Sequence, residues 1–595
     1  MSETLTDLPS PSREQVPGGR PGRWAVWRSP ADQPAWARPA LLGIALLALV
    51  LYAWNLRLVD YAPLYSDAAR SMSGSWKAFL YGAADPAATY TLDKLAGSFI
   101  PQAVSARIFG FHPWSLALPQ VIEGVISVLV LYRVVRRWAG VVPGLLAAGI
   151  FTLTPVTASM FGHSMADGAL VMCLLFAVDA YQRAVLEARL RSLVWAGVWV
   201  GLAFQCKSLQ AWLVLPALAV GYLLTAPVDL RGRLRHLGIA GVVMLAVSLS
   251  WVLLYTVTPA ADRPYVSGST NNSAFAMVFG YNGLSRLGIH IPGAAPLNLR
   301  GEGGGPWLGP DGNARAHERA GDVGSRGQDQ EGNVGPRGQD QEGNVGPGGQ
   351  DQEGNVGPGG PDQNGNVGPR AQGQGPMVEG PPDGDLSKAE SRVDPLGSTK
   401  LLDGHLGVAI AWLFPLALLA LLCGLWWKRR TERTDPVRGG LVMWGVWLVT
   451  FAFVFSASAV DHTAFVADLA PAIAALCALG VVTFWREYPG GGGRAWVLPL
   501  AVAAETAWAA WLWSHYPNFL PWARWGTLAL GVVAVLVLVL ARVVRTAPTA
   551  LVTAGLALGV AAMLAAPATY AVSVLDPDYS GSSFDANAGP ASGSA

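Results

Sequence analysis

The chain has 595 residues, of which 52% are hydrophobic and only 14% charged. A soluble domain covers its surface with charged side chains, so this composition excludes an ordinary soluble fold. A formal net charge of +1 excludes the strongly basic face that a nucleic-acid partner requires.

Residues 1–38 are polar and rich in Pro and Arg, and read as a disordered cytoplasmic tail rather than a secretory signal. Crossing ~30 Å of hydrocarbon takes about 20 mostly apolar residues in a helix. About 13 candidate spans follow, near 39–57, 114–133, 139–158, 166–182, 192–206, 208–226, 236–257, 405–427, 439–459, 464–484, 495–514, 521–541 and 549–573. The expected fold is therefore an all-α polytopic membrane protein. Its N-terminal module (39–257) includes a large first outer loop at 58–113, and its C-terminal module covers 405–573. A second outer loop spans 258–404, and a Ser/Gly/Ala-rich tail, expected to be disordered and extracytoplasmic, spans 574–595.

Alternate connections carry the basic residues: Arg133, Arg136 and Arg137; Arg183, Arg189 and Arg191; Arg231, Arg233 and Arg235; Lys428 to Arg430; Arg486 and Arg494; Arg542 and Arg545. With 13 spans they share one side with the N-terminal arginines. The positive-inside rule makes that side cytoplasmic and places the C-terminus outside.

The first outer loop mixes polar and aromatic residues, as short helices lying at a membrane surface do. Residues 327–370 hold four copies of an 11-residue unit, GQDQEGNVGPR in the first copy. The unit lacks the apolar mass for a core, and its Gly spacing is not that of collagen. The four cysteines, Cys173, Cys206, Cys423 and Cys477, lie in or beside apolar runs without CxxC spacing and read as packed hydrophobes.

The chemistry-bearing residues gather on the outer side. The first loop holds Asp60, Asp67, Asp85 and the pair Asp93-Lys94; a short loop ends at Asp167; Asp461-His462 precedes the tenth span. Acids there could deprotonate a hydroxyl, and a lysine there could hold a lipid phosphate. The plainer alternatives are a turn at Asp85, a helix cap at Asp167, an interface anchor at Lys94 and a packed ring at His462. Two acids, Glu123 and Glu505, fall inside spans, where a carboxylate is costly and points by default to function.

In this order the outer residues resemble the GT-C superfamily of glycosyltransferases, family 39. That group includes protein O-mannosyltransferases, the aminoarabinose transferase of lipid A, and mannosyltransferase-like proteins of actinobacteria and bacilli. The resemblance rests on Ala69-Arg70-Ser71-Met72, Thr91-Leu92-Asp93-Lys94, Phe109-Gly110-Phe111, Leu153-Thr154-Pro155 leading to Asp167, Arg263-Pro264-Tyr265, Gly268 to Ser273, Gly280 to Gly283, and Leu469-Ala470-Pro471-Ala472. It implies a GT-C fold and a polyprenyl-phosphate-linked sugar as donor. The sugar, with mannose the candidate, would pass with inversion to an extracytoplasmic protein, lipid or glycan. A first-loop acid, Asp67 or Asp60, would be the general base, and Asp167 a second acid. Asp93, Lys94, Tyr65, Asn271, Asn272 and His462 would hold the donor. The resemblance fixes no cofactor; a divalent cation (Mg or Mn) is compatible with two acids.

The chain departs from the family at Leu95, where relatives have Pro, at Met165-Ala166-Asp167, where close relatives read Asn-Pro-Asp, and after His462. Two other functions are compatible with the sequence. One is a degenerate paralogue acting as a binding or assembly partner. The other is a flippase for a lipid-linked sugar, which would use Glu123 and Glu505 along its path.

Overall fold

A computed structural model describes residues 27–297, 399–402, 404–458, 462–490, 492–544 and 549–590. The 11-residue repeats, most of the N-terminal tail and Asp461 lie outside the described residues.

The helices in chain order are α1 (Ala37–Ala53), α2 (Tyr65–Gly74), α3 (Trp76–Tyr81), α4 (Phe99–Phe109), α5 (Pro113–Ala139), α6 (Val141–Thr152), α7 (Pro155–Met160), α8 (Asp167–Glu187), α9 (Leu190–Lys207), α10 (Leu215–Thr225) and α11 (Leu230–Val257). After the second loop come α12 (Gly404–Ile410), α13 (Phe414–Trp427), α14 (Pro436–Ala457), α15 (Thr463–Val466), α16 (Ala470–Glu487), α17 (Val497–Trp513), α18 (Pro521–Val543) and α19 (Thr549–Val572).

Among the described residues, ten helical segments are long and apolar enough to cross a membrane, and α1 and α6 are shorter apolar helices. One of the ten, Leu190–Thr225, doubles back through the 3₁₀ turn Ser208–Val214. Lys207 meets Asp167 at the first turn of α8, whereas Gly221 lies against the Tyr181 hydroxyl near the other end of α8. Two antiparallel spans therefore occupy this segment. Counting it twice gives eleven, the shorter helices α1 and α6 lie where two further spans were expected, and the chain is a multi-pass membrane protein.

Small residues let these helices approach where lipid offers little hydrophobic drive. A Cβ on Gly197 of α9 would stand 2.6 Å from the Ala240 carbonyl oxygen of α11. Helix α16 is buried almost throughout and forms the centre of the bundle. Described basic residues from several clusters share one face, where Arg433 donates to the Ala226 carbonyl at 3.3 Å. There Arg133 and Arg137 of α5 and Arg183 of α8 converge on Asp179, and Arg494 stacks on Trp427 at 5.1 Å.

Glu505 has a structural task. Its carboxylate accepts the Leu416 N–H at 2.5 Å, satisfying an orphan donor in the first turn of α13. Glu123 is buried, with Oε2 lacking a hydrogen-bond partner.

The tail behaves differently from its composition. Residues 574–590 pack onto the face opposite the arginines. Ser159 Oγ donates to the Ser580 carbonyl at 2.7 Å, Ser583 Oγ to the Asp60 carbonyl at 3.3 Å, and Thr463 Oγ1 to Asp585. Small Ala and Ser side chains are what allow an irregular strand to lie this close, and Ala586 and Ala588 are fully buried.

Candidate active site

On the face opposite the arginine clusters, α2–α4 and residues 258–297 cover the helix ends. The Asp93-Lys94 pair sits in a loop whose backbone is tied on three sides. Thr91 N–H bonds the Tyr265 carbonyl at 2.9 Å, Leu92 N–H bonds Gly82, and Gly97 N–H bonds the Gln205 carbonyl at 3.1 Å. Ser98 Oγ adds a bond to the Ala166 carbonyl at 2.7 Å, just before Asp167. Gly97 is needed for this close approach, because a Cβ there would lie 2.4 Å from the Gln205 oxygen. Gly97→Val should therefore cost about 1–3 kcal/mol through overpacking. A fall in the thermal midpoint of the purified protein would show it, and an unchanged midpoint would contradict the contact.

The loop delivers Lys94 into a cleft of about 90 Å³ that is also lined by Tyr65, Asp167, Lys207, Arg286, His462, Phe465, Ser583 and Phe584. Lys94 Nζ donates to the Tyr65 hydroxyl and lies 3.8 Å from the Asp93 carboxylate. Burial alone would lower the Lys94 pKa, but Asp93 and Tyr65 together hold it above its ordinary value. The Tyr65 ring stacks on Phe99 at 5.2 Å and meets Phe584 at 6.0 Å.

Asp167 opens α8 without capping it, and its buried carboxylate pairs with Lys207 at the end of α9. Lys207 also lies 4.0 Å from the centre of the Phe465 ring, which Arg286 approaches at 5.3 Å. Arg286 donates to Asn282 Oδ1 at 3.1 Å, and Asn282 donates to the Asp93 carbonyl at 2.6 Å, so the second outer loop is fastened to the Asp-Lys loop. Burial lowers the Arg286 pKa, yet a guanidinium stays charged. Three cations thus share a cleft in which Asp167 is the one lining carboxylate among the described residues.

His462 lines the cleft with an exposed edge. Partial burial, then the nearby Lys207, Lys94 and Arg286, push its pKa down to about 4. It is therefore neutral at pH 7. An imidazole NMR titration should show no protonation until the pH falls below about 5, and a midpoint near 6.5 would contradict the cationic cleft.

The remaining expected residues lie elsewhere. Asp67 is exposed in the first turn of α2, two residues after cleft-lining Tyr65, and no ion pair involves it among the described residues. Asp60 is exposed, and its main chain receives Ser583. Asn272 shapes a turn, at φ 56° with its side chain bound by Arg263 and the Val266 N–H, and Asn271 is exposed beside it. Sequence reasoning missed Lys207 and Arg286. An isolated lysine interrupting an apolar stretch was the available signal for the first; Arg286 carried none. Among the described residues no three of His, Cys, Asp and Glu converge. The two described acids at the cleft, Asp93 and Asp167, are each paired with a lysine ammonium.

Residues 97–251 match the family model described as dolichyl-phosphate-mannose-protein mannosyltransferase. A protein of Bacillus subtilis (strain 168), "Putative mannosyltransferase YycA", is 32% identical over 489 residues, covering 80% of this chain and 68% of its own. A second from the same organism, "Putative mannosyltransferase YkcB", is 32% identical over 513 residues, covering 83% and 69%. The chain belongs to the GT-C superfamily of membrane glycosyltransferases. A crystal structure of ArnT from Cupriavidus metallidurans bound to undecaprenyl phosphate is similar over 90% of this chain and 77% of that one, at 16% identity and a TM-score of 0.47. In this GT-C glycosyltransferase, Asp167 and Lys207 of the cleft lie within the family-model match, Lys94 stands just before it and Arg286 after it.

Proposed function

We propose that this glycosyltransferase moves a sugar, with mannose the candidate, from a polyprenyl-phosphate donor to a hydroxyl of an extracytoplasmic acceptor, inverting the anomeric centre. The observation that carries the reading is the cleft itself: Lys94, Lys207 and Arg286 around one space, on the face opposite the arginine clusters. By the positive-inside rule that face is extracytoplasmic. Such a cleft suits a lipid phosphate, which arrives within the bilayer with its charge at the interface. The relatives' names supply the mannose.

The phosphate would be held by Lys94 and Arg286, with Tyr65 fixing the ammonium. As the bond from the anomeric carbon to phosphate oxygen breaks, negative charge grows on the leaving phosphate, and pre-placed cations stabilise it without reorganisation. The acceptor oxygen forms the new bond from the opposite face and gives up its proton to a carboxylate. Asp67 suits that task, since its exposed carboxylate is open to an incoming hydroxyl. Asp167, already paired with Lys207, suits orienting the sugar. Asn271 and Asn272 would shape the loop above the cleft, and His462, neutral, would offer a hydrogen bond rather than charge.

Purified protein in lipid, supplied with radiolabelled polyprenyl-phosphate mannose and a membrane extract, tests the reading. Label should leave the donor lipid and appear in acceptor. Label that crosses the bilayer still attached to its lipid would instead favour the flippase reading.

A further inference from the structure

Resting on the transfer reading above, we propose that the 3₁₀ turn after Lys207 selects the donor sugar, with Gln210 accepting a hydrogen bond from one of its hydroxyls. The phosphate contacts do not distinguish one sugar from another, so a separate group must. Lys207 closes α9, and Ser208 turns the chain at φ 47°. That backbone is unfavourable for a residue other than Gly and persists only where its surroundings fix it. Through this turn Lys207, Ser208 and Gln210 all line the same cleft.

Two of these side chains have unused hydrogen-bonding capacity. Ser208 is only 2% exposed, and its Oγ has no partner although the residue lines the cleft. Gln210 is half-buried, and its Nε2 donates to Asp468 Oδ2 at 2.8 Å. That bond sets the polarity of the amide. A carboxylate only accepts, so it takes the NH₂ end and leaves Oε1, which takes no hydrogen bond among the described residues, for a ligand. Asp468 is buried and does not line the cleft, and the Trp447 indole fixes its main chain by donating to its carbonyl at 2.8 Å. Asp468 is therefore a positioning residue for Gln210. The rest of the cleft lacks a free acceptor of this kind. Lys94, Lys207 and Arg286 are donors suited to phosphate oxygens, and Asp167 is already paired with Lys207. A sugar brings several hydroxyl protons that need acceptors. A neutral amide oxygen takes one without cancelling the charge that holds the phosphate, and a site built for that hydroxyl discriminates against an analogue lacking it.

The test pairs the residue with the hydroxyl. Full-length protein in lipid is given polyprenyl-phosphate mannose and its monodeoxy forms, which lack the 2-, 3-, 4- or 6-hydroxyl, and kcat/KM is measured for each. Gln210→Met should lower kcat/KM for mannose about tenfold or more, and should lose nothing further with one of the deoxy donors, which the wild-type chain uses about as poorly. Asp468→Asn, whose amide can donate as well as accept and so no longer sets the polarity of Gln210, should weaken discrimination at that same hydroxyl. Calorimetric binding of undecaprenyl phosphate, which carries no sugar, should be unchanged in both variants. Gln210→Met leaves Asp468 as a buried acceptor without its donor, so the double variant with Asp468→Leu is measured beside it and should give the same donor pattern with a thermal midpoint near that of the wild type. Losses equal across all donors in the folded variants, or weakened binding of undecaprenyl phosphate, overturn the proposal and leave the transfer reading standing. No turnover of any donor by the wild-type chain overturns both.

Discussion

Lys94→Ala should reduce sugar transfer by about 10²-fold or more while leaving the protein folded. The half-buried side chain donates to Tyr65, and its ammonium is the group that Asp93 and Tyr65 hold in the charged state. Removing it leaves the donor phosphate facing Arg286 and Lys207 alone, at a position where charge accumulates as the sugar departs. The loss should appear in both kcat and kcat/KM, because charge on the phosphate grows during reaction. Lys94→Arg should recover only part of it, since a planar guanidinium cannot occupy the same contact with the Tyr65 hydroxyl. Backbone stability should change little, because the loop is held by Gly97, Ser98 and Thr91 rather than by the lysine. The measurement is initial rate against donor concentration for folded variants of matched thermal midpoint. Full activity in Lys94→Ala would remove the phosphate role and with it the assignment of the cleft.

The spans were legible because a run of about 20 apolar residues has few other destinations, and because the basic loops check the parity of the count. The doubled segment at Lys207 could be read for the same reason: a charge in mid-run must reach water or a partner, and here it reaches Asp167. Lys94 and Asp167 carried signals because each belongs to a short local pattern. Arg286 did not, since its place depends on a fold-back of the second outer loop, fixed by Asn282 on the Asp93 carbonyl, and such a long-range contact leaves no local periodicity. The tail was obscure for a related reason. Its Ser, Gly and Ala residues look like those of an unstructured segment, yet their small size is what lets residues 580–588 run close to α7 and Tyr65. Asn271 and Asn272 mark a turn that composition cannot tell from a binding loop, because the same amide that could hold a sugar can also satisfy Arg263.

The two acids should separate kinetically. Asp67→Asn should lower kcat by about 10²–10⁴-fold, the range for loss of a general base, with donor affinity nearly unchanged. The exposed carboxylate stands outside the cleft lining, so its amide leaves the phosphate contacts intact. Asp167→Asn should act differently. It leaves the Lys207 ammonium buried without its anion, in a cleft that already holds Lys94 and Arg286. A buried amine without its anion gives up its proton, so binding of the lipid phosphate should not strengthen while the sugar loses its orientation. It should also lower stability, since breaking a buried pair by removing one partner costs about 3–5 kcal/mol. Lys207→Met combined with Asp167→Asn should restore much of the stability without restoring transfer, which distinguishes a structural pair from a catalytic one. Donor binding by calorimetry, transfer rate and thermal midpoint, measured on the same preparations, give the three readouts. If Asp167→Asn abolished turnover with stability intact while Asp67→Asn turned over normally, the base would be Asp167, and Lys207 would be the group that releases it to accept a proton.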